Sequence, residues 1–155
     1  MTIDDADTGE SFGLPEPPEP IDYETAGEPR TERILIIEDD PDIARFIEVG
    51  LNGGGFPDVT YAEDGETGLT RIEQEDFQVV LTGFMMPGML GDEVVRRIRA
   101  NPRSLHLPVI VVTSQAGTDH IRRAMLAGAD DYVTKPFDPL ELFARVRAVL
   151  RRRES

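Results

Sequence analysis

The sequence predicts an α/β fold in which a five-stranded parallel sheet carries helices on both faces. Three observations predict it. Short aliphatic runs alternate five times along the chain with segments of helical periodicity. Two of those runs, Ile34-Leu35-Ile36-Ile37 and Val109-Ile110-Val111-Val112, have no polar interruption, the pattern of a strand buried on both faces. Finally, carboxylate, hydroxyl and ammonium side chains gather just after the strands, where α/β folds place their working groups.

The first strand stops at Glu38-Asp39-Asp40, and Pro41 follows. Asp40 suits an N-cap, and Pro41 suits a first helical turn whose N–H has no partner in any case. The helix that begins there carries Ile43, Phe46, Ile47 and Leu51 at helical spacing and stops at Gly53-Gly54-Gly55. Val59 to Ala62 reads as a second strand and residues 64–74 as a helix. Phe77 to Leu81 reads as the third strand, followed by a Gly/Pro-rich loop to Gly91 and a helix over 92–100. After the fourth strand at Val109 to Val112, a helix over 119–127 ends at Gly128. Asp131-Tyr132-Val133 is the fifth strand, and residues 138–151 form a last helix with Leu140, Phe143, Val146, Val149 and Leu150 on its apolar face. Parallel strands joined by right-handed crossovers leave few topologies.

Composition narrows the function classes. The 155 residues contain no Cys, so disulfides, thiolate metal sites and cysteine nucleophiles are excluded. A net charge of −14 disfavours nonspecific nucleic-acid binding. No apolar stretch has the length of a membrane helix, and the acidic start MTIDDADTGE lacks the layout of a signal peptide. A cytoplasmic location is therefore expected. Residues 1–32 hold ten acids and one Arg, a local charge of −9. With PEPPEP at 15–20 and few aliphatics, residues 1–31 read as a disordered acidic arm, and 32–153 as the folded domain. Lys135 is the chain's sole Lys among many Arg, a hint that Arg does not serve at that position.

Behind the strands stand Glu38, Asp39 and Asp40; Thr82 and Gly83; Thr113 and Ser114; and Thr134, Lys135 and Pro136. Carboxylates and one ammonium on a single rim are the groups that a hard cation and a phosphoryl group need. The segments ILIIEDDPDI, VVLTGFMMPGMLGDEVVRRIR, PVIVVTSQAG and GADDYVTKPFDPLEL, in this order and spacing, resemble the receiver domains of two-component response regulators over about residues 32–152.

The resemblance implies the flavodoxin-like, doubly wound (βα)5 sheet, order 2-1-3-4-5. It implies that Glu38, Asp39 and the backbone carbonyl of Met85 hold Mg²⁺, that Thr113 and Ser114 belong to the phosphoryl pocket, and that Lys135 pairs with the acceptor and the phosphoryl group. It makes Thr113 and Tyr132 the switch residues. The partner face it implies lies on the fourth helix, fifth strand and fifth helix, at Arg122, Arg123, Met125, Arg145 and Arg147. Expected partners are a histidine kinase, a phosphotransfer protein or a downstream effector, with a homodimer through the same face as a further arrangement and neither membrane nor direct nucleic-acid binding.

One position departs from the pattern. The acceptor aspartate belongs four residues before Pro87, and that residue is Gly83; Thr82, Phe84 and Met85 are not acids either. Aspartyl phosphorylation needs a carboxylate nucleophile. The expectation is a pseudo-receiver with no catalysis of its own, no required cofactor, and Mg²⁺ bound weakly or not at all. The alternative is a conventional receiver, stand-alone or the N-terminal part of a transcriptional regulator, whose acceptor has been replaced. Asp39, Asp40 and Thr82 are the nearest substitutes for the acceptor.

Overall fold

The computed structural model describes residues 30–113 and 118–154. Residues 1–29 of the expected acidic arm, and Ser114, lie outside the described residues. The elements alternate as expected: β1 (Arg33–Ile37), α1 (Pro41–Gly53), β2 (Asp58–Ala62), α2 (Gly65–Gln74), β3 (Val79–Gly83), α3 (Gly91–Ala100), β4 (Val109–Thr113), α4 (Thr118–Ala127), β5 (Asp131–Thr134) and α5 (Pro139–Glu154). The strands form one parallel sheet of order β2-β1-β3-β4-β5. Among the described residues no helix is long and apolar enough to cross a membrane.

Strand side chains alternate between faces, and this splits the core in two. Ile34, Ile36, Val79, Leu81, Ile110, Val112 and Val133 pack against Ala44, Ile47 and Leu51 of α1 and Phe143, Val146 and Val149 of α5. Leu35, Ile37, Val80, Val109 and Val111 pack against the helices of the other face, including Ile72, Val94, Val95, Ile98 and Ala124. Because both faces are covered, every position of β3 and β4 is buried. That is why Val79 to Leu81 and Val109 to Val112 are continuous in apolar residues rather than alternating.

Capping follows the sequence at the start of α1. The Asp40 carboxylate accepts from the Asp42 amide at 2.9 Å, and Pro41 occupies the first helical turn. Asp64 caps α2 in the same way through the Thr67 amide at 2.8 Å. Before β1, the Arg30 amide bonds the Gly55 carbonyl, and the Arg30 guanidinium lies 5.0 Å from the centre of the Phe56 ring.

Three expectations are corrected. The third strand is Val79–Gly83, not 77–81. Pairing begins where Ile34 meets Val79, so Phe77 packs into the core from the preceding loop, beneath Arg33. Thr82 and Gly83 are consequently strand residues, not loop residues. In α1, Phe46 is about half exposed and leans on the Phe137 ring 5.5 Å away, while Ala44 takes its place in the core. In α5, Leu140 is exposed and Leu142 is buried instead.

Candidate functional site at the carboxyl edge of the sheet

The two-residue period of the strands assembles the rim. Glu38 continues the parity of Ile34 and Ile36, Gly83 that of Val79 and Leu81, and Lys135 that of Val133. All three therefore lie on the α1/α5 side of the sheet edge. The structure joins them. Lys135 Nζ stands 3.3 Å from Glu38 Oε1. Glu38 Oε2 accepts from the Asp40 amide at 3.1 Å, and the Glu38 amide itself bonds the Ala62 carbonyl. A Cβ added at Gly83 would lie 3.0 Å from Glu38 Oε1 and 3.5 Å from Met86 Cγ. Glu38 thus reaches across to the place where a side chain at position 83 would begin.

Glu38 is 4% exposed. Burial pushes its carboxyl above the usual range, opposed by the Asp40 amide and the Lys135 ammonium. The rim as a whole is electronegative. Tyr61, at the end of β2, has its phenol pushed up by burial and by Glu63, Glu38, Asp39 and Asp40.

Of the expected Mg²⁺ ligands, Glu38 is engaged by Lys135 and Asp39 is solvent-exposed; Gly83, at the acceptor position, offers no carboxylate beside them. The described residues contain no cluster of three side chains that could hold a metal ion. A hard dication wants several converging oxygens, and the side-chain oxygens at hand are those of Glu38 and Asp39. Thr113 is buried at the end of β4, and its carbonyl accepts from the Lys135 amide at 2.8 Å. The Lys135-Pro136 peptide is cis. Tyr132 is about one-third exposed on β5. The structure pairs the Glu38 and Lys135 side chains and turns Glu38 toward Gly83, and it leaves Asp39 and the Met85 side chain facing water.

The expected partner face is only partly open. Arg122 and Met125 are exposed, and so is Leu126 at 77%, which sequence reasoning missed. Arg123 is instead tied inward: its Nη2 lies 2.8 Å and its Nε 3.1 Å from Asp92 Oδ2. Arg145 pairs with Asp131 at 3.2 Å and Glu141 at 3.5 Å, and Arg147 lies over the Phe143 ring. Each of these three arginines has an acid or a ring within reach, and Arg123 keeps part of its side chain exposed.

The Arg123 contact belongs to a cluster directly below the rim. Phe84, the residue after Gly83, is buried; His120 stacks on it at 4.6 Å, and the Arg123 guanidinium lies 5.5 Å from its centre. Asp92, 1% exposed, also accepts from Arg96 at 3.3 Å. The cluster bolts α4 to the β3–α3 loop. Removing one partner of a buried charge leaves the other uncompensated. Arg123→Ala is therefore expected to destabilise the protein by about 2 kcal/mol, below the full buried-pair value because Arg96 remains and Arg123 is partly exposed. Arg122→Ala is expected to change stability by less than about 0.5 kcal/mol, as for an ordinary surface site; urea unfolding of both checks this.

Comparison with known proteins agrees with this architecture. The family model described as the response regulator receiver domain matches residues 34–147. The DNA-binding response regulator MtrA of Mycolicibacterium smegmatis is 42% identical over 124 residues, covering 80% of this chain and 53% of that protein. The transcriptional activator protein IrlR of Burkholderia pseudomallei is 40% identical over 123 residues, covering 79% of this chain and 52% of that protein. The chain spans about half the length of these curated relatives. Among solved structures, a response regulator from Chloroflexus aurantiacus superposes with a TM-score of 0.76 at 32% identity, covering 79% of this chain and 99% of that one. The receiver domain of a Francisella response regulator gives 0.71 at 31% identity, covering 79% and 98%. With the family model matching well over half of its length, the chain belongs to the response-regulator receiver family.

Proposed function

We propose that this receiver is a pseudo-receiver: a module of a two-component-type signalling system that binds its partner without aspartyl phosphorylation. The observation that carries the reading is Gly83, at the end of β3, with the Glu38 carboxylate turned toward its empty side and the Lys135 ammonium paired to that same carboxylate. Nucleophilic attack on a phosphoryl group needs an oxygen at that place, and positioning accelerates a reaction only where the attacking atom exists. The module has no catalysis of its own and requires no cofactor. Its partner is a signalling protein: a histidine kinase, a phosphotransfer protein or a downstream effector. The exposed part of the partner face that remains is Arg122, Met125 and Leu126 of α4 and Tyr132 of β5. The relatives MtrA and IrlR are transcriptional regulators about twice as long as the matched segment, and the same module at the head of a longer regulator is compatible with this reading.

A second reading is favoured by one observation: Glu38, Asp39, Thr113 and Lys135 are all retained. On that reading the chain is a conventional receiver whose acceptor has been replaced. Backbone amide NMR spectra separate the two. On adding a phosphodonor and Mg²⁺, the spectrum is expected to stay unchanged at Thr113, Tyr132 and Lys135. Shifts at those three positions in the native chain would contradict the pseudo-receiver. Shifts confined to Gly83→Asp would show that the remaining pocket still works once a nucleophile is supplied.

A further inference from the structure

We propose that Lys135 is the resident cation of this rim: its ammonium, and not a divalent metal, is the permanent counter-ion of Glu38. The proposal rests on the pseudo-receiver reading and deepens it.

Three observations carry it. The first is placement. Glu38 Oε1 is at once 3.3 Å from Lys135 Nζ and 3.0 Å from the point where a Cβ at position 83 would stand. One carboxylate oxygen therefore serves the ammonium at the edge of the space that a longer residue 83 would fill. The second is burial. Glu38 is 4% exposed, and the Lys135 side chain is 18% exposed. An ionised carboxylate so far from water needs a partner. The Asp40 amide on Oε2 supplies one hydrogen bond, and the ammonium supplies the charge. The third is composition. Lys135 is the chain's sole Lys. A compact ammonium on a slender stem reaches the buried Glu38 carboxylate, where a planar guanidinium is broader.

The consequence is a rim held in one arrangement. A metal approaching Glu38 meets a carboxylate already neutralised, an exposed Asp39 and no carboxylate at residue 83. Lys135, for its part, has no second acidic partner within ion-pair distance among the described residues. The pair is thus expected to stay closed whatever the concentration of phosphodonor.

The test is a double-mutant cycle on the full chain, with Glu38→Gln, Lys135→Met and the two combined, read by urea unfolding. The two changes are expected to be coupled by about tenfold in the unfolding constant, within the range for residues in direct contact. Effects that simply add would overturn the proposal. An NMR titration of the native chain with millimolar Mg²⁺ needs no variant, and so holds even where a variant fails to fold. The amides of Asp39, Asp40, Gly83 and Met85 are expected not to move, and saturable shifts there would overturn the proposal. Neither readout involves a phosphodonor. Failure here leaves the absence of aspartyl phosphorylation standing, whereas a phosphorylated native chain would remove that reading without changing the measured coupling.

Discussion

Replacing Gly91 with alanine is expected to destabilise the protein by about 3 kcal/mol or more, the upper end for overpacking a filled site. A Cβ at Gly91 would lie closer to the Gly83 carbonyl oxygen than any real contact allows, and 2.8 Å from the Phe84 Cα. Both obstacles are backbone, so no side-chain rotation relieves the clash. The Gly91 amide also bonds the Phe84 carbonyl at 2.7 Å, which draws the first residue of α3 against the end of β3. The loop from Phe84 to Leu90 is closed by that contact. Relief therefore requires moving either α3 or Gly83, and Gly83 is central to the rim. The control is Gly53→Ala in α1, where an added Cβ meets nothing within 4 Å. There alanine is expected to be neutral or to stabilise by up to about 1 kcal/mol, the helical preference of Ala over Gly. Equal effects at the two sites in thermal or urea unfolding would contradict the close approach described for Gly91.

Gly83→Asp is expected to destabilise the metal-free protein by about 2 kcal/mol and to make its stability respond to Mg²⁺, a response not expected of the native chain. From the sequence alone the change reads as nearly neutral, because the mutual repulsion of the carboxylates and the entropy cost of glycine roughly cancel. The structure shifts that balance. The new Cβ would stand 3.0 Å from Glu38 Oε1, so Glu38 must give way. Two carboxylates would then share one ammonium in a buried place, where like charges about 4 Å apart repel by up to about 4 kcal/mol at an effective dielectric of 20. The pH dependence has a definite sign. Burial already holds the Glu38 carboxyl above its usual range, and a second carboxylate raises the pair further. A raised carboxyl binds its proton more tightly in the folded state, so the charge part of the deficit is absent below the unfolded values near pH 4 and grows as pH rises, while the part due to the added Cβ stays constant. Gly83→Ala separates shape from charge: it brings the same Cβ and no carboxylate. Its loss is expected to be smaller and independent of both pH and Mg²⁺ in the same unfolding experiment.

Much of this was legible in the residues, and what was not has a physical reason. Buried strands betray themselves because both faces want aliphatics, so Ile34 to Ile37 and Val109 to Val112 read correctly. Where pairing starts does not show in composition. Phe77 is as apolar as Val79, and only the register with Ile34 decides between them. The helices were legible from their caps and their period, yet Phe46 and Leu140 are apolar residues outside the core, and periodicity alone does not say which edge of an apolar face stays exposed. At the rim, the sole Lys pointed to a position with a special demand, and Lys135 does sit against Glu38. That Glu38 turns toward residue 83 rather than toward a cation with Asp39 is a matter of side-chain direction, which the sequence does not carry. The Asp92 clamp was invisible for a related reason. Its partner Arg123 is 31 residues away, and an acid in a first helical turn beside an arginine-rich helix reads as ordinary solvated surface.

The most direct measurement is the intact mass of the full chain after incubation with a small phosphodonor and Mg²⁺, beside that of Gly83→Asp. The native mass is expected to stay unchanged, while the Asp variant gains one phosphoryl group. A phosphoryl group on the native chain would contradict the account, and peptide mapping would then look first to Glu38, whose Oε1 faces the empty side of Gly83, and to Asp39, Asp40 and Thr82.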